Sequence, residues 1–132
     1  LSLHDALPIL NIKVLKDRYA ICRLESEDMV PLWVDTKNFI SITRTEDELS
    51  IVCIDKNIPN EIKSEKGWRV LKVEGPLDFS LIGILSEISG ILAKEKISIF
   101  VVSTFDTDYI LVKEENFEKS IKVLSDNNIN II

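Results

Sequence analysis

From Trp68 onward, apolar and polar residues follow two rhythms, and their order predicts a fold. Trp68, Val70 and Val73 alternate imperfectly with charged neighbours, as in a strand, until Gly75 and Pro76 break it. Leu81, Ile84, Leu85, Ile88, Ile91 and Leu92 then recur at steps of three and four, which predicts an amphipathic helix with Asp78 or Ser80 as N-cap. The stretch from Ile97 to Thr104 is β-branched and nearly all apolar, F-D-T-D supplies a turn, and Y-I-L-V-K returns as the second strand of a hairpin. Glu114 and Glu115 fit the first turn of a second helix, where the dipole favours acids, and Phe117, Ile121 and Leu124 mark its buried face. Asn127 and Asn128 end that helix and leave Ile129 to Ile132 for a short strand.

Strand, helix, strand, strand, helix, strand is the split βαβ order of an α+β, ferredoxin-like domain. Both helices of such a domain cover one face of the sheet, and the other face is polar unless something covers it. Here Ile97, Ile99 and Val101 point one way while Phe100 and Val102 point the other, and all are apolar. Both faces of that strand therefore call for burial, by a second copy of the domain or by the N-terminal half of the chain.

The N-terminal half reads as strands near Tyr19 to Leu24, Phe39 to Thr43 and Leu49 to Ile54, with T-E-D-E as the turn between the last two. A brief helix is expected near Pro31 within Asp28 to Asp35, and Pro59 to Gly67 reads as a polar linker or short helix. The expected division is an N-terminal half over residues 11–66, smaller and packed against a C-terminal domain over residues 67–132. The first ten residues, L-S-L-H-D-A-L-P-I-L, lack the basic start and small-residue cleavage site of a signal peptide. They resemble a translated sequencing-adapter remnant and are expected to be a non-native leader, so His4, the single histidine, carries no functional weight.

Composition narrows the function. A chain of 132 residues with 45% hydrophobic content is expected to bury a core rather than stay disordered. A formal net charge of -6 and a pI near 4.8 argue against nucleic acid and anionic membranes, which recruit clustered Lys and Arg. No apolar run approaches the roughly 20 residues that span a bilayer. Cys22 and Cys53 each lie inside an apolar run and read as buried, reduced thiols of a cytoplasmic protein, without zinc or redox-pair spacing. No cofactor or metal set is expected.

Asp106 and Asp108 flank Thr107 at the hairpin bend, and three readings fit them: cation binding, acid and base work, or solvation of a turn. The stretch from Asp78 to Gly83 places free N–H groups and the positive end of a helix at the sheet edge, a receptor for a carboxylate or an ordinary capped helix start. Gly83 admits close approach of a ligand or is a small residue facing the sheet. A helix start that receives a carboxylate, beside carboxylates that receive an ammonium, suits a zwitterion such as a free amino acid. Trp33 and Trp68 read as packing.

With these residues in view, the chain resembles the small bacterial ACT-domain proteins related to the CASTOR-type amino-acid sensors. The resemblance runs from about Val14 to Ile132 and is carried by E-G-P-L-D-F-S-L-I-G, G-I-L-S-E-I-S-G-I-L-A and I-S-I-F-V-V-S-T-F-D-T-D-Y-I-L-V-K-E-E. It implies two ACT-like halves, the second more regular, with a ligand at an interface between ACT units. By position, Asp78, Phe79, Ser80, Leu81, Ile82 and Gly83 would supply the helix-start side, and Ser103, Thr104, Phe105, Asp106 and Asp108 the strand side. The eukaryotic sensors use a longer chain, so arginine specificity does not carry over. The expectation is a non-enzymatic module, a homodimer, that senses an amino acid or similar small metabolite. A protein-interaction domain that binds a partner protein is the alternative, and an acid/base enzyme a distant third.

Overall fold

Strand β5 (Lys63–Glu74) belongs to two compact units, one on each side of Arg69 and Val70. The computed structural model describes residues 10–74 and 81–132, and side chains only from Gly83 onward in the second span. One unit takes residues 16–69 and the other residues 10–15 together with 70–132.

The C-terminal unit is the α+β, ferredoxin-like fold that the pattern predicts. It holds β1 (Asn11–Val14), the end of β5, α1 (Leu81–Lys94), β6 (Ile99–Ser103), β7 (Asp108–Lys113), α2 (Phe117–Asp126) and β8 (Asn130–Ile131). Its strands lie in the order β6, β7, β5, β1, β8. One strand was not expected there. β1, grouped by the sequence with the N-terminal half, runs antiparallel to β5 with Ile12 opposite Val73, and parallel to β8 with Ile12 opposite Ile131. The amides of Asn130 and Ile132 donate to the carbonyls of Leu10 and Ile12, each at 2.8 Å. Strand propensity could locate β1 but not its partners, which lie more than 50 residues away in sequence.

The helices cover this sheet through a shared core. Ile84, Ile88 and Leu92 of α1 meet Ile12, Leu71, Val73, Ile110 and Val112 of the strands and Leu124 of α2. Both helices end on a left-handed residue, Lys96 at φ 58° and Asn128 at φ 65°. In each case the next amide reaches back to the last turn, Ile97 to the Leu92 carbonyl and Ile129 to the Leu124 carbonyl, each at 3.1 Å. Glu114 and Glu115 stand in a short 3₁₀ turn, Glu114–Asn116, immediately ahead of α2. Ile99 and Val101 pack on the core, while β6 as a whole stays half-buried and lies at the edge of the sheet. Among the described residues no helix is long and apolar enough to cross a membrane.

The N-terminal unit contains β2 (Tyr19–Leu24), β3 (Ser41–Arg44), β4 (Leu49–Ile54) and the start of β5, in the order β3, β4, β2, β5. Its core gathers Ala20, Cys22, Leu24, Val34, Leu49, Ile51, Cys53 and Ile58. Cys22 and Cys53 are free and buried. The hydrogen bond between the two thiols and burial both hold Cys53 above the usual thiol range.

Two expectations fail in this unit. The segment near Pro31 is a turn rather than a helix, closed by the Val34 amide on the Pro31 carbonyl at 3.3 Å. The Asp35 carboxylate then captures the Lys37 amide at 2.8 Å, a local bond that competes with helical continuation. Residues 63–67, read as linker or short helix, are strand. Their polar composition hid them, because Lys63, Glu65 and Lys66 face solvent while Ser64 pairs with Cys22. The β2–β5 register slips by one residue between Tyr19 and Ile21, and Gly67 absorbs the slip at φ 79° with its amide on Asp55 Oδ2 at 3.2 Å.

Two glycines should therefore respond oppositely to alanine. A Cβ at Gly67 meets open space but a left-handed backbone, so Gly67→Ala is expected to lower stability by about 1 kcal/mol. Gly90 lies inside α1, is exposed and also has room, so Gly90→Ala is expected to raise stability by about 0.5–1 kcal/mol. Urea unfolding of the two variants checks both signs.

Candidate functional site

The β6–β7 hairpin is built to hold a short bend rigidly. Its ladder runs from Ile99 opposite Val112 to Ser103 opposite Asp108, and residues 104–107 make the turn. The Thr104 amide donates to the Thr107 carbonyl at 2.8 Å, and the Thr104 hydroxyl donates to the same carbonyl at 3.0 Å. In return, the Thr107 amide donates to Thr104 Oγ1 at 3.2 Å. A threonine side chain thus replaces a backbone acceptor, which is how Thr and Ser stabilise tight turns.

Beneath the bend, polar groups are buried and paired. Thr107 is 4% exposed, and its hydroxyl donates to the Val73 carbonyl of β5 at 2.6 Å. Asp108 is 6% exposed, and Ser103 Oγ donates to its Oδ1 at 2.5 Å. At the tip the situation reverses: Phe105 is fully exposed and Asp106 faces solvent.

The structure therefore brings together Ser103 with Asp108 and Thr104 with Thr107, and it sets Phe105 and Asp106 apart in water. Asp106 and Asp108, two residues apart in sequence, occupy different environments and are not presented as a matched pair. Among the described residues, no group of three His, Cys, Asp or Glu stands close enough to hold a metal ion. Sequence reasoning passed over Thr107. The one signal for it is the T-x-x-T frame from Thr104 to Thr107, whose side-chain partner on β5 is 34 residues away.

On the helix-start side, Asp78, Phe79 and Ser80 lie outside the described residues, and Leu81 and Ile82 open α1. Gly83 is exposed, with nothing within 4 Å of where a Cβ would stand. It does not face the sheet, since Ile84 and Ile88 fill that role. Among the described residues, the first turn of α1 carries no acidic side chain.

The ACT domain family profile matches residues 63–131, more than half of the chain, and begins where β5 begins. The chain belongs to the ACT domain family. A second profile, described as an N-terminal domain, matches residues 17–61, within the N-terminal unit. The human protein named cytosolic arginine sensor for mTORC1 subunit 1 is 34% identical over 94 residues, covering 65% of this chain and 29% of that protein. The match thus spans less than a third of the length of that curated relative. Protein Atu0741 of Agobacterium tumefaciens is 39% identical, with a TM-score of 0.89 over 96% of this ACT protein and 94% of its own chain. The aspartate kinase of Clostridium acetobutylicum, at 18% identity and a TM-score of 0.65, covers 89% of this chain and 34% of its own, and shares the fold.

The contrast between the base and tip of the ACT hairpin is measurable. Ser103→Ala removes a donor from a buried carboxylate and is expected to cost about 1–3 kcal/mol. Asp106→Asn, at a solvated tip, is expected to stay within about 0.5 kcal/mol of wild type. Equal losses in urea titrations would refute the division.

Proposed function

We propose that this chain is a non-enzymatic regulatory module that binds an amino acid or similar small metabolite at an interface between ACT units, as a cytoplasmic homodimer. The observation that carries the reading is the anchored hairpin, whose buried base is hydrogen-bonded while its bend offers Phe105 and the Asp106 carboxylate to solvent. Ser103, Thr104, Phe105, Asp106 and Asp108 form the strand side of the site, where the solvent-facing Asp106 carboxylate receives the ammonium group and Asp108, bonded to Ser103, supports the bend. The start of α1, from Asp78 to Gly83, receives the carboxylate, since a helix N-terminus offers free amides and the positive end of its dipole. Membership of the ACT family and the likeness to a protein named as an arginine sensor point the same way. Arginine itself is not assigned, because the match covers under a third of that sensor.

Placement of β6 at the sheet edge, half-buried and apolar on both faces, supports a dimer, since an open strand edge invites a second strand. The same edge favours the alternative reading, a domain that docks a partner protein and needs no small ligand.

A thermal-shift screen against the twenty amino acids separates the two, because a ligand that binds only the folded state raises its melting temperature. A rise with one amino acid, abolished by replacing Asp106 and Asp108 together with Asn, is the expected result. No rise with any of them, with one stoichiometric protein co-purifying, would leave the partner-docking domain. Light scattering should give twice the 15.0 kDa chain mass.

A further inference from the structure

We propose that Thr107 is the positioning residue of this hairpin, and that its hydroxyl, by clamping the bend to β5, holds Phe105 and Asp106 where a ligand meets them. The proposal rests on the reading of the hairpin as the strand side of the site. The β3–β4 hairpin turns through Thr45-Glu46-Asp47-Glu48 with the same closure: the Thr45 amide donates to the Glu48 carbonyl at 2.9 Å, and the Glu48 amide donates to Thr45 Oγ1 at 3.1 Å. The fourth residue of that turn is a half-buried glutamate. A hydroxyl at the fourth position is therefore unnecessary for the turn itself.

In the β6–β7 hairpin the fourth residue does more. The amide and carbonyl of Thr107 are committed to Thr104, and its side chain, 4% exposed, reaches Val73. Val73 is itself fixed, with its side chain in the core and its backbone opposite Ile12 of β1. One residue thus joins the bend to a strand of the core, immediately before β7 begins. A buried carbonyl without a donor is costly, so the clamp persists unless the bend lifts away from β5. A valine keeps the volume and shape of threonine and removes the donor. Serine keeps the donor and removes a methyl.

The test compares wild type, Thr107→Val and Thr107→Ser in two measurements. The first, without any amino acid, is amide hydrogen exchange. Thr107→Val is expected to speed exchange at residues 103–108 roughly tenfold while the amides of α2 stay unchanged, and Thr107→Ser to match wild type. The second is calorimetric titration of each protein with each of the twenty L-amino acids. Thr107→Val is expected to lose roughly tenfold or more in affinity for whichever of them binds wild type, with Thr107→Ser restoring it despite a lower melting temperature. Unchanged exchange in Thr107→Val overturns the clamp, and faster exchange with undiminished binding overturns its positioning role. A wild-type protein that binds none of the twenty removes the site reading and the positioning role with it. The exchange data, taken without amino acid, keep that failure distinct from failure of the clamp.

Discussion

Buried backbone must be satisfied, and in the C-terminal unit that constraint converges on Val73. Its side chain lies in the core beneath α1, its backbone faces Ile12, and its carbonyl accepts the Thr107 hydroxyl. Shifting β5 by one residue would turn Leu71 and Val73 out of the core and Lys72 into it, a cost no surface interaction offsets. Because the register of β5 is fixed in this way, so is the height at which the β6–β7 bend is tethered. The candidate hairpin inherits its placement from hydrophobic burial through the pairing of β7 with β5 and through the Thr107 hydroxyl.

Local rhythms made much of this legible in the sequence, and non-local pairings did not. Helix α1 was readable because Ile84, Ile88 and Leu92 repeat at the helical period, and the hairpin because F-D-T-D interrupts two apolar runs. The start of β5 was hidden, since Lys63 to Lys66 pair through backbone while their side chains remain polar, and pattern reading sees only side chains. The place of β1 was hidden for another reason: four residues of moderate strand character carry no address for a partner at the far end of the chain. At the candidate site, Thr107 is not legible in the sequence, because the value of its hydroxyl depends on a carbonyl 34 residues away. Asp106 and Asp108 looked alike in sequence, and only the fold gives one to water and the other to Ser103.

The acidic balance of the chain bears on recognition in the same local way. A net charge of -6 sets the long-range field, but that field is screened within about 10 Å at ordinary salt. Under the proposed reading, selection of a ligand therefore depends on the few groups at the bend rather than on the total. The ferredoxin-like fold is shared with proteins of many functions, so the hairpin and ACT membership, not the sheet, support ligand binding.

Under the proposed reading, the hairpin also implies how binding and assembly are connected. A carboxylate in water interacts weakly with an ammonium, on the order of 1 kcal/mol at contact distance, and several-fold more strongly once solvent is displaced. Asp106 is solvated in the isolated chain, so it cannot by itself select a zwitterion from solution. A second surface must cover it, and Phe105, fully exposed beside it, supplies apolar area for that surface to bury. The cover and the ligand would each strengthen the other's contacts, which makes ligand affinity and subunit association two sides of one linked equilibrium. A bend already anchored at its base enters that equilibrium without the entropic cost of ordering a loop, which is what an anchored turn contributes that a flexible one cannot.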